Sequence, residues 1–311
     1  MSDPTLVRSI AVRSGILADT AELISTGATS QAWLLQGDGQ SYVLRTFHSA
    51  RRERPAYELE LGLRRRLREN TLMVPEPVAT NVDLPWSDSD KARPEWIIDQ
   101  FVPGTFAARG GIPASACRDA GQVLALLHAL DCSGFGRPEN DRAVISGTVA
   151  DPASGVKTRF QDPWPFSEAP LSAHPVARVA PELLSSLETM GGRALEWAGR
   201  PGLAVCHTDL HNEQLILSGG RLAALIDFGD AMIGSPAWDI ASFLYFHGAK
   251  LAEELLAGYT DDVTAAEHLL IEARVFASVI ALHHISRSFT LNRPQRRVFA
   301  LARLKTLLAD N

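Results

Sequence analysis

The chain has little cysteine, and none of it is arranged for chemistry: Cys117, Cys132 and Cys206 lack both close pairing and metal-ligand spacing. A disulfide framework and a zinc site are therefore not expected. Basic charge is also scarce, since 30 Lys and Arg face 36 Asp and Glu and leave a net charge of −6. Neutralising a phosphate backbone needs a basic face, so no nucleic-acid partner is expected, whereas a cationic small molecule is compatible. No run approaches the ~18 uninterrupted apolar residues of a bilayer span, and Met1 to Thr5 lacks the basic patch and apolar stretch of a secretory signal. A cytoplasmic protein without membrane association is the expectation. The strands near the start of the chain have neither a Gly-x-Gly-x-x-Gly run nor a Gly-Lys-Ser element, and no internal repeat is visible.

What is present suits two lobes with a boundary after residue 103. A length of 311 residues exceeds one small core. Ala21 to Ser25, Gln31 to Gln36 and Ser41 to Phe47 read as strands, with Gly37-Asp38-Gly39 as a hairpin turn between the last two. From Pro55 to Asn70 the leucines at 59, 63 and 67 recur at helical spacing, and Val74-Pro75-Glu76-Pro77-Val78 stops that helix. Trp96 to Val102 reads as a buried strand closed by Pro103-Gly104. Residues 104–311 read as mostly helical, with helices over 116–130, 181–199, 236–259, 264–290 and 294–310. Only two short apolar runs within 203–227 look like strands there, and 150–175, rich in Pro, Ser and Gly, reads as an irregular surface loop.

Two carboxylates stand out, each just after an apolar run and one hairpin's length apart. Asp209 follows Leu203-Ala204-Val205-Cys206, and Asp227 follows Leu222 to Ile226 and opens Asp227-Phe228-Gly229-Asp230. Phosphoryl transfer needs one carboxylate to orient a hydroxyl and another to hold the metal bound to a triphosphate. Asp209 is the candidate catalytic residue. Asp227 with one amide oxygen beside it suits Mg2+, a hard ion that takes few oxygens from protein.

Cys206-His207-Thr208-Asp209-Leu210-His211-Asn212-Glu213-Gln214 and Ile226-Asp227-Phe228-Gly229-Asp230-Ala231-Met232-Ile233-Gly234-Ser235-Pro236-Ala237-Trp238-Asp239-Ile240-Ala241 resemble the aminoglycoside phosphotransferase and choline kinase family. Its catalytic loop runs approximately His-Gly-Asp-Leu-His-x-x-Asn, so the resemblance implies Gln214, where Asn is usual and on a stem one methylene longer, as the amide ligand of the metal beside Asp227, with Asn212 ranked below it because of its spacing from Asp209. The resemblance implies an α+β, protein-kinase-like fold: an N-terminal nucleotide-binding lobe over 1–103, with a small antiparallel sheet and one helix, and a mainly helical C-terminal lobe over 104–311. It implies ATP and Mg2+ as cofactors and a small-molecule hydroxyl acceptor. It places Arg45, where the family has Lys, on the triphosphate with Glu60 as its helical partner, Glu58 being the alternative. Gly27, Thr29 and Ser30 would cover the phosphates, and backbone groups of Gln100 and Val102 would meet the adenine. His207 would brace the catalytic loop, and Asp239 would tie that loop to the following helix.

The expected activity is transfer of the γ-phosphate to an aminoglycoside-, macrolide-, choline- or amino-sugar-like acceptor. Gln214 and Arg45 support a second reading, a nucleotide-binding scaffold of the same fold with weak or no catalysis. A protein-serine kinase is a third, disfavoured by the short segment between Asp227 and Pro236. The acids Glu253, Glu254, Asp261, Asp262 and Glu267 are candidates to receive an amine, offset by Arg287, Arg293, Arg296 and Arg297.

Overall fold

A computed structural model describes residues 3–26, 30–47, 57–85, 95–108, 111–139, 144–160, 163–200 and 202–309. Gly27 and Thr29 lie outside the described residues, as does the side chain of Glu58. The chain divides into two compact units, Met1–Gly104 and Thr105–Asn311.

The first unit is an antiparallel sheet with two helices. Its elements are α1 (Pro4–Arg13), β1 (Thr20–Thr26), β2 (Ser30–Gly37), β3 (Gln40–Phe47), α2 (Tyr57–Arg68), β4 (Pro77–Thr80) and β5 (Trp96–Gln100), with strand order β1-β2-β3-β5-β4. The β2–β3 hairpin turns on two residues, Asp38 at φ 51° and Gly39 at φ 74°. Both need the left-handed region, which Asp tolerates and Gly adopts freely, and this pins the register that places Arg45 opposite Ala32 and Ile97. Within the first 20 residues, which carry no motif, Pro4–Arg13 form α1. Asp3 caps it by accepting from Leu6 N at 2.8 Å, and Val7, Ile10 and Ala11 pack against Trp33, Leu35, Leu44 and Trp96.

The second unit carries more strand than its sequence periodicity indicates. It contains β6 (Thr105–Phe106), α3 (Ala114–His128), β7 (Cys132–Ser133), β8 (Phe135–Pro138), β9 (Ile145–Val149), α4 (Pro152–Arg159), α5 (Val176–Val179), α6 (Leu184–Ala198), β10 (Ala204–Cys206), β11 (Leu215–Ser218), β12 (Arg221–Leu225), β13 (Met232–Gly234), α7 (Ala237–His247), α8 (Ala249–Tyr259), α9 (Val263–Thr290) and α10 (Pro294–Ala309). One sheet runs β10-β13-β8-β9-β7 and a smaller one β12-β11-β6. Strands of two to five residues are too short to display alternation, which is why β7, β8, β9 and β13 escape a periodicity reading. The stretch expected to be an irregular loop holds α4, started by Asp151 accepting from Ser154 N at 2.7 Å with Pro152 behind it. The helix expected over 236–259 is two helices, broken at Gly248, whose φ of 90° no helix continues through.

α9 has the length and apolarity of a membrane-crossing helix, but 61% of its most apolar window is buried inside the protein, as in a core helix. α3 and α8 meet backbone to backbone. A Cβ at Gly121 would lie 2.0 Å from Leu255 O, and one at Gly258 would lie 2.0 Å from Arg118 O. Gly121→Ala is therefore expected to destabilise the protein by about 1–3 kcal/mol through overpacking. Thermal unfolding checks this, and an unchanged melting temperature would mean that the two helices are not in contact as described.

Candidate active site

In the first unit, β3 delivers Arg45 to a set of four charges. Its guanidinium is ion-paired with Glu60 of α2 and lies 3.7 Å from Asp99 of β5. Arg64, one turn along α2, sits 3.4 Å from Glu60 and is paired with Asp99. It also donates to Pro75 O at 3.0 Å. Two positive and two negative side chains thus balance, and all but Arg45 are buried. Burial alone would raise the Glu60 carboxyl, but Arg45 and Arg64 outweigh it and hold the carboxyl below its ordinary value. The sequence pointed to Arg45 and Glu60; Arg64 and Asp99 were missed, because a basic helix position and an interior strand position look like a solvated face and a plain core strand. Ser30 begins β2 opposite Phe47. Gln100 ends β5, and its N–H is already given to Glu76 O at 2.9 Å. Of its two backbone groups, therefore, the carbonyl is the one left for an adenine edge. Val102 follows in the half-buried segment after β5.

In the second unit, β10 pairs antiparallel with β13, bringing the loop after Cys206 against the start of α7. Asp239, in the first turn of α7 and fully buried, accepts from His207 N at 2.8 Å and Thr208 N at 2.6 Å. His128 Nε2 lies 2.9 Å from the same carboxylate, and Tyr259 Oη lies 3.0 Å from His128 Nδ1. His207 accepts from Asp209 N on Nδ1 at 3.3 Å, so its proton is on Nε2, which donates to Ile226 O at 2.9 Å. The ring thereby joins the loop carrying Asp209 to the end of the strand leading to Asp227. Thr208 sits at φ 64° and Asp227 at φ 67°. The Thr208 hydroxyl donates to Asp230 O at 2.8 Å and accepts from Arg159 Nε at 2.7 Å.

Asp209, Gln214 and Asp227 converge. His211 Nε2 lies 3.8 Å from Asp209 Oδ2 and 3.1 Å from Gln214 Nε2, and that amide donates to Asp227 Oδ2 at 3.2 Å. The longer Gln stem does reach the carboxylate, but with its NH2 group foremost. Metal coordination through Oε1 requires half a turn of the amide. His211 stands between the two acids, its Nδ1 accepting from Glu213 N at 3.2 Å, which leaves the proton on the Nε2 that faces Asp209. A second cluster, His128, Cys206 and Asp239, brings possible ligand atoms within 4.8 Å of one another. There Asp239 is already taken by the loop, Cys206 donates to Ser235 O at 3.2 Å, and burial first of all pushes its thiol well above the ordinary value.

A cavity of about 290 Å³ opens beside Asp209, lined among others by Thr208, His211, Phe246, His283, Arg287 and Arg296. None of the acids offered as amine receptors lines it. Glu254 is paired with Arg118 at 2.6 Å, and Asp262 caps α9 by accepting from Ala265 N at 3.0 Å. Asp239→Asn should cost about 2–4 kcal/mol, because an amide turns an N–H toward donors that need an acceptor. Melting curves of the two proteins test this, and equal stability would deny Asp239 its bracing part.

An antiparallel-sheet unit with a charged Arg–Glu pair, and a mixed unit that gathers two loop carboxylates, define an α+β protein of the kinase-like kind. The chain belongs to the APH phosphotransferase enzyme family, whose profile matches residues 20–269. Among solved structures, a thermostable mutant of aminoglycoside phosphotransferase APH(4)-Ia, in ternary complex with AMP-PNP and hygromycin B, superposes with a TM-score of 0.64. It covers 97% of this chain and 98% of that one at 16% identity. Macrolide 2'-phosphotransferase MphH from Brachybacterium faecium gives 0.58 over 96% and 97% of the chains at 18% identity. The GDP and kanamycin complex of APH(2")-IIia gives 0.66 over 99% and 100% at 16% identity. At such identities the likeness is one of fold. No curated protein sequence matches significantly.

Stability should carry the signature of the charge cluster. Glu60 has a lowered folded-state pKa, so its contribution is complete above the ordinary value of 4.5 and is lost as pH falls below it. The stability gap between the native chain and Glu60→Gln is expected to stay constant above pH about 4.5 and to narrow below it. Denaturant titrations from pH 3 to 7 measure this; a constant gap down to pH 3 would count against the ion pair.

Proposed function

We propose that this protein transfers the γ-phosphate of ATP, as its magnesium complex, to a hydroxyl group of a small molecule. The observation that carries the reading is the convergence of Asp209 and Asp227 on the neighbouring side chains of His211 and Gln214, set within the phosphotransferase family. Support also comes from similar structures in complex with a nucleotide or nucleotide analogue and an aminoglycoside. Under this reading residues 1–103 bind the nucleotide and 104–311 carry the catalytic loops and the acceptor.

Asp209 accepts the proton of the acceptor hydroxyl as its oxygen forms a bond to the γ-phosphorus. The bond from that phosphorus to the β–γ bridging oxygen breaks, and its electron pair leaves with ADP. Asp227 and, once its amide is turned, Gln214 fit Mg2+, being hard oxygen donors held side by side; the ion offsets charge on the phosphates. Arg45 forks onto phosphate oxygens while Glu60 fixes its guanidinium. Gly27, Thr29 and Ser30 cover the phosphates, and the Gln100 carbonyl and Val102 backbone meet the base. His207 and Asp239 act through the loop and touch no substrate. The cytosol, which maintains ATP and reduced thiols, suits three cysteines that are all free.

A second reading, a nucleotide-binding scaffold with little catalysis, is favoured by one observation, the Gln214 NH2 group facing Asp227. ADP release across hydroxylated acceptors, with Mg-ATP thermal shifts, separates the two. Asp209→Asn should lower kcat by about 10²–10⁴-fold while ATP still stabilises the protein. Asp227→Ala should abolish the magnesium dependence of that stabilisation. Undiminished kcat in the first variant would sink the assignment of Asp209, and metal-independent stabilisation of the native chain would favour the scaffold.

A further inference from the structure

The lining of the cavity beside Asp209 includes residues of α9 and α10, namely Ile280, His283, His284, Arg287 and Arg296. From Ala273 to Ala309 the sequence has no Asp or Glu, but it has arginines at 274, 287, 293, 296, 297 and 303. Two of these serve packing: Arg297 lies over the Phe289 ring at 4.4 Å, and Arg303 donates to Phe246 O at 3.2 Å. Arg287 and Arg296 instead line the cavity, and Arg296 makes no ion pair among the described residues.

The remaining lining charges do not cancel this wall. Asp230 and Arg159 are paired with each other at 3.1 Å. Asp209 is committed to the hydroxyl under the reading above, and Glu213 is exposed on the catalytic-loop side. His283 and His284 add no charge: burial first, and then the surrounding arginines, draw His283 down to about 3, while burial, then His283 and then the arginines hold His284 well below its ordinary value. Their Nδ1 atoms are buried without a partner. A polyamine in this space would set ammonium groups against guanidinium groups in a partly desolvated pocket, where like charges repel more strongly than in water. An anionic group would instead find two charged forks and neutral imidazoles.

Building on the phosphotransferase reading, we propose that the acceptor is a hydroxylated small molecule carrying a carboxylate or phosphate group, gripped by Arg287 and Arg296 while its hydroxyl lies at Asp209. Charge complementarity between that group and the two arginines then decides specificity. The bond changes stay as described above, and the anionic group takes no part in them.

Calorimetry on the full chain with Mg-ATP analogue present, using gluconate, glycerol 3-phosphate, glycerol and kanamycin as probes, tests the proposal. Gluconate or glycerol 3-phosphate should bind at least about tenfold more tightly than glycerol or kanamycin, as expected for a charge-assisted clamp. Whichever of the two binds more tightly tells carboxylate from phosphate. Arg296→Gln should weaken that binding by about tenfold, and Arg296→Lys should weaken it less, keeping the charge but losing the second donor of the fork. Arg287→Gln provides a second removal on another helix in case one variant fails to fold. Kanamycin binding as tightly as the anions, no binding of either anion, or undiminished anion binding in the folded Gln variants would overturn the proposal and leave the phosphotransferase reading standing. Failure of the chain to bind Mg-ATP would bring down that reading first, and this one with it.

Discussion

The buried carboxylate of Asp239 is the constraint on which the second unit turns. A fully buried anion is tolerated only where donors surround it, and here they are two consecutive backbone N–H groups of the loop, those of His207 and Thr208, plus His128. The start of α7 adds a favourable helix dipole. Moving the loop would strip the carboxylate of its donors, so the cost of loop motion is the desolvation of a charge. His128 is held by Tyr259 at the end of α8, and α8 lies against α3 at the Gly121 and Gly258 contacts. Helix packing around the core therefore reaches the backbone that presents Asp209 through an unbroken series of hydrogen bonds.

The first unit solves a related problem by balance. Arg45, Glu60, Arg64 and Asp99 neutralise one another in surroundings where any one of them alone would be costly. Such a set fixes where the Arg45 guanidinium sits without making it the sole partner of either acid. An arginine suits this arrangement, since its fork can meet a carboxylate with some donors and keep others for a phosphate.

Much of this was legible in the chain because local chemistry and motif agreed. Asp38-Gly39 specified a two-residue hairpin, the leucines at 59, 63 and 67 a buried helical stripe, and the Asp209 and Asp227 segments a family. Periodicity could not find β7 to β9 or β13, where pairing partners distant in sequence make strands out of a few residues. Composition misled over 152–159, where Pro152 and Ser154 stand in the first turn of α4, but not over 163–170, which is irregular. Charge counting is no guide to the cavity, because none of the acids named as amine receptors lines it, whereas Arg159, Arg287 and Arg296 do. Net charge describes the whole surface, and a pocket answers to its lining.

Thr208 shows how the parts are joined. A β-branched residue at φ 64° is disfavoured by about 1–2 kcal/mol, and the family pattern has glycine there. Three hydrogen bonds offset this: from its N–H to Asp239, from its hydroxyl to Asp230 O, and from Arg159 to its hydroxyl. At about 0.5–1.5 kcal/mol each they are enough to hold the conformation. Arg159 is also a wall of the cavity and the ion partner of Asp230. A glycine would reach the same backbone geometry without help, but it would leave Arg159 with one contact fewer and the cavity wall less defined. The side chain at 208 thus ties the turn that presents Asp209 to the surface that an acceptor would meet, so loop geometry and pocket shape are set by the same contacts.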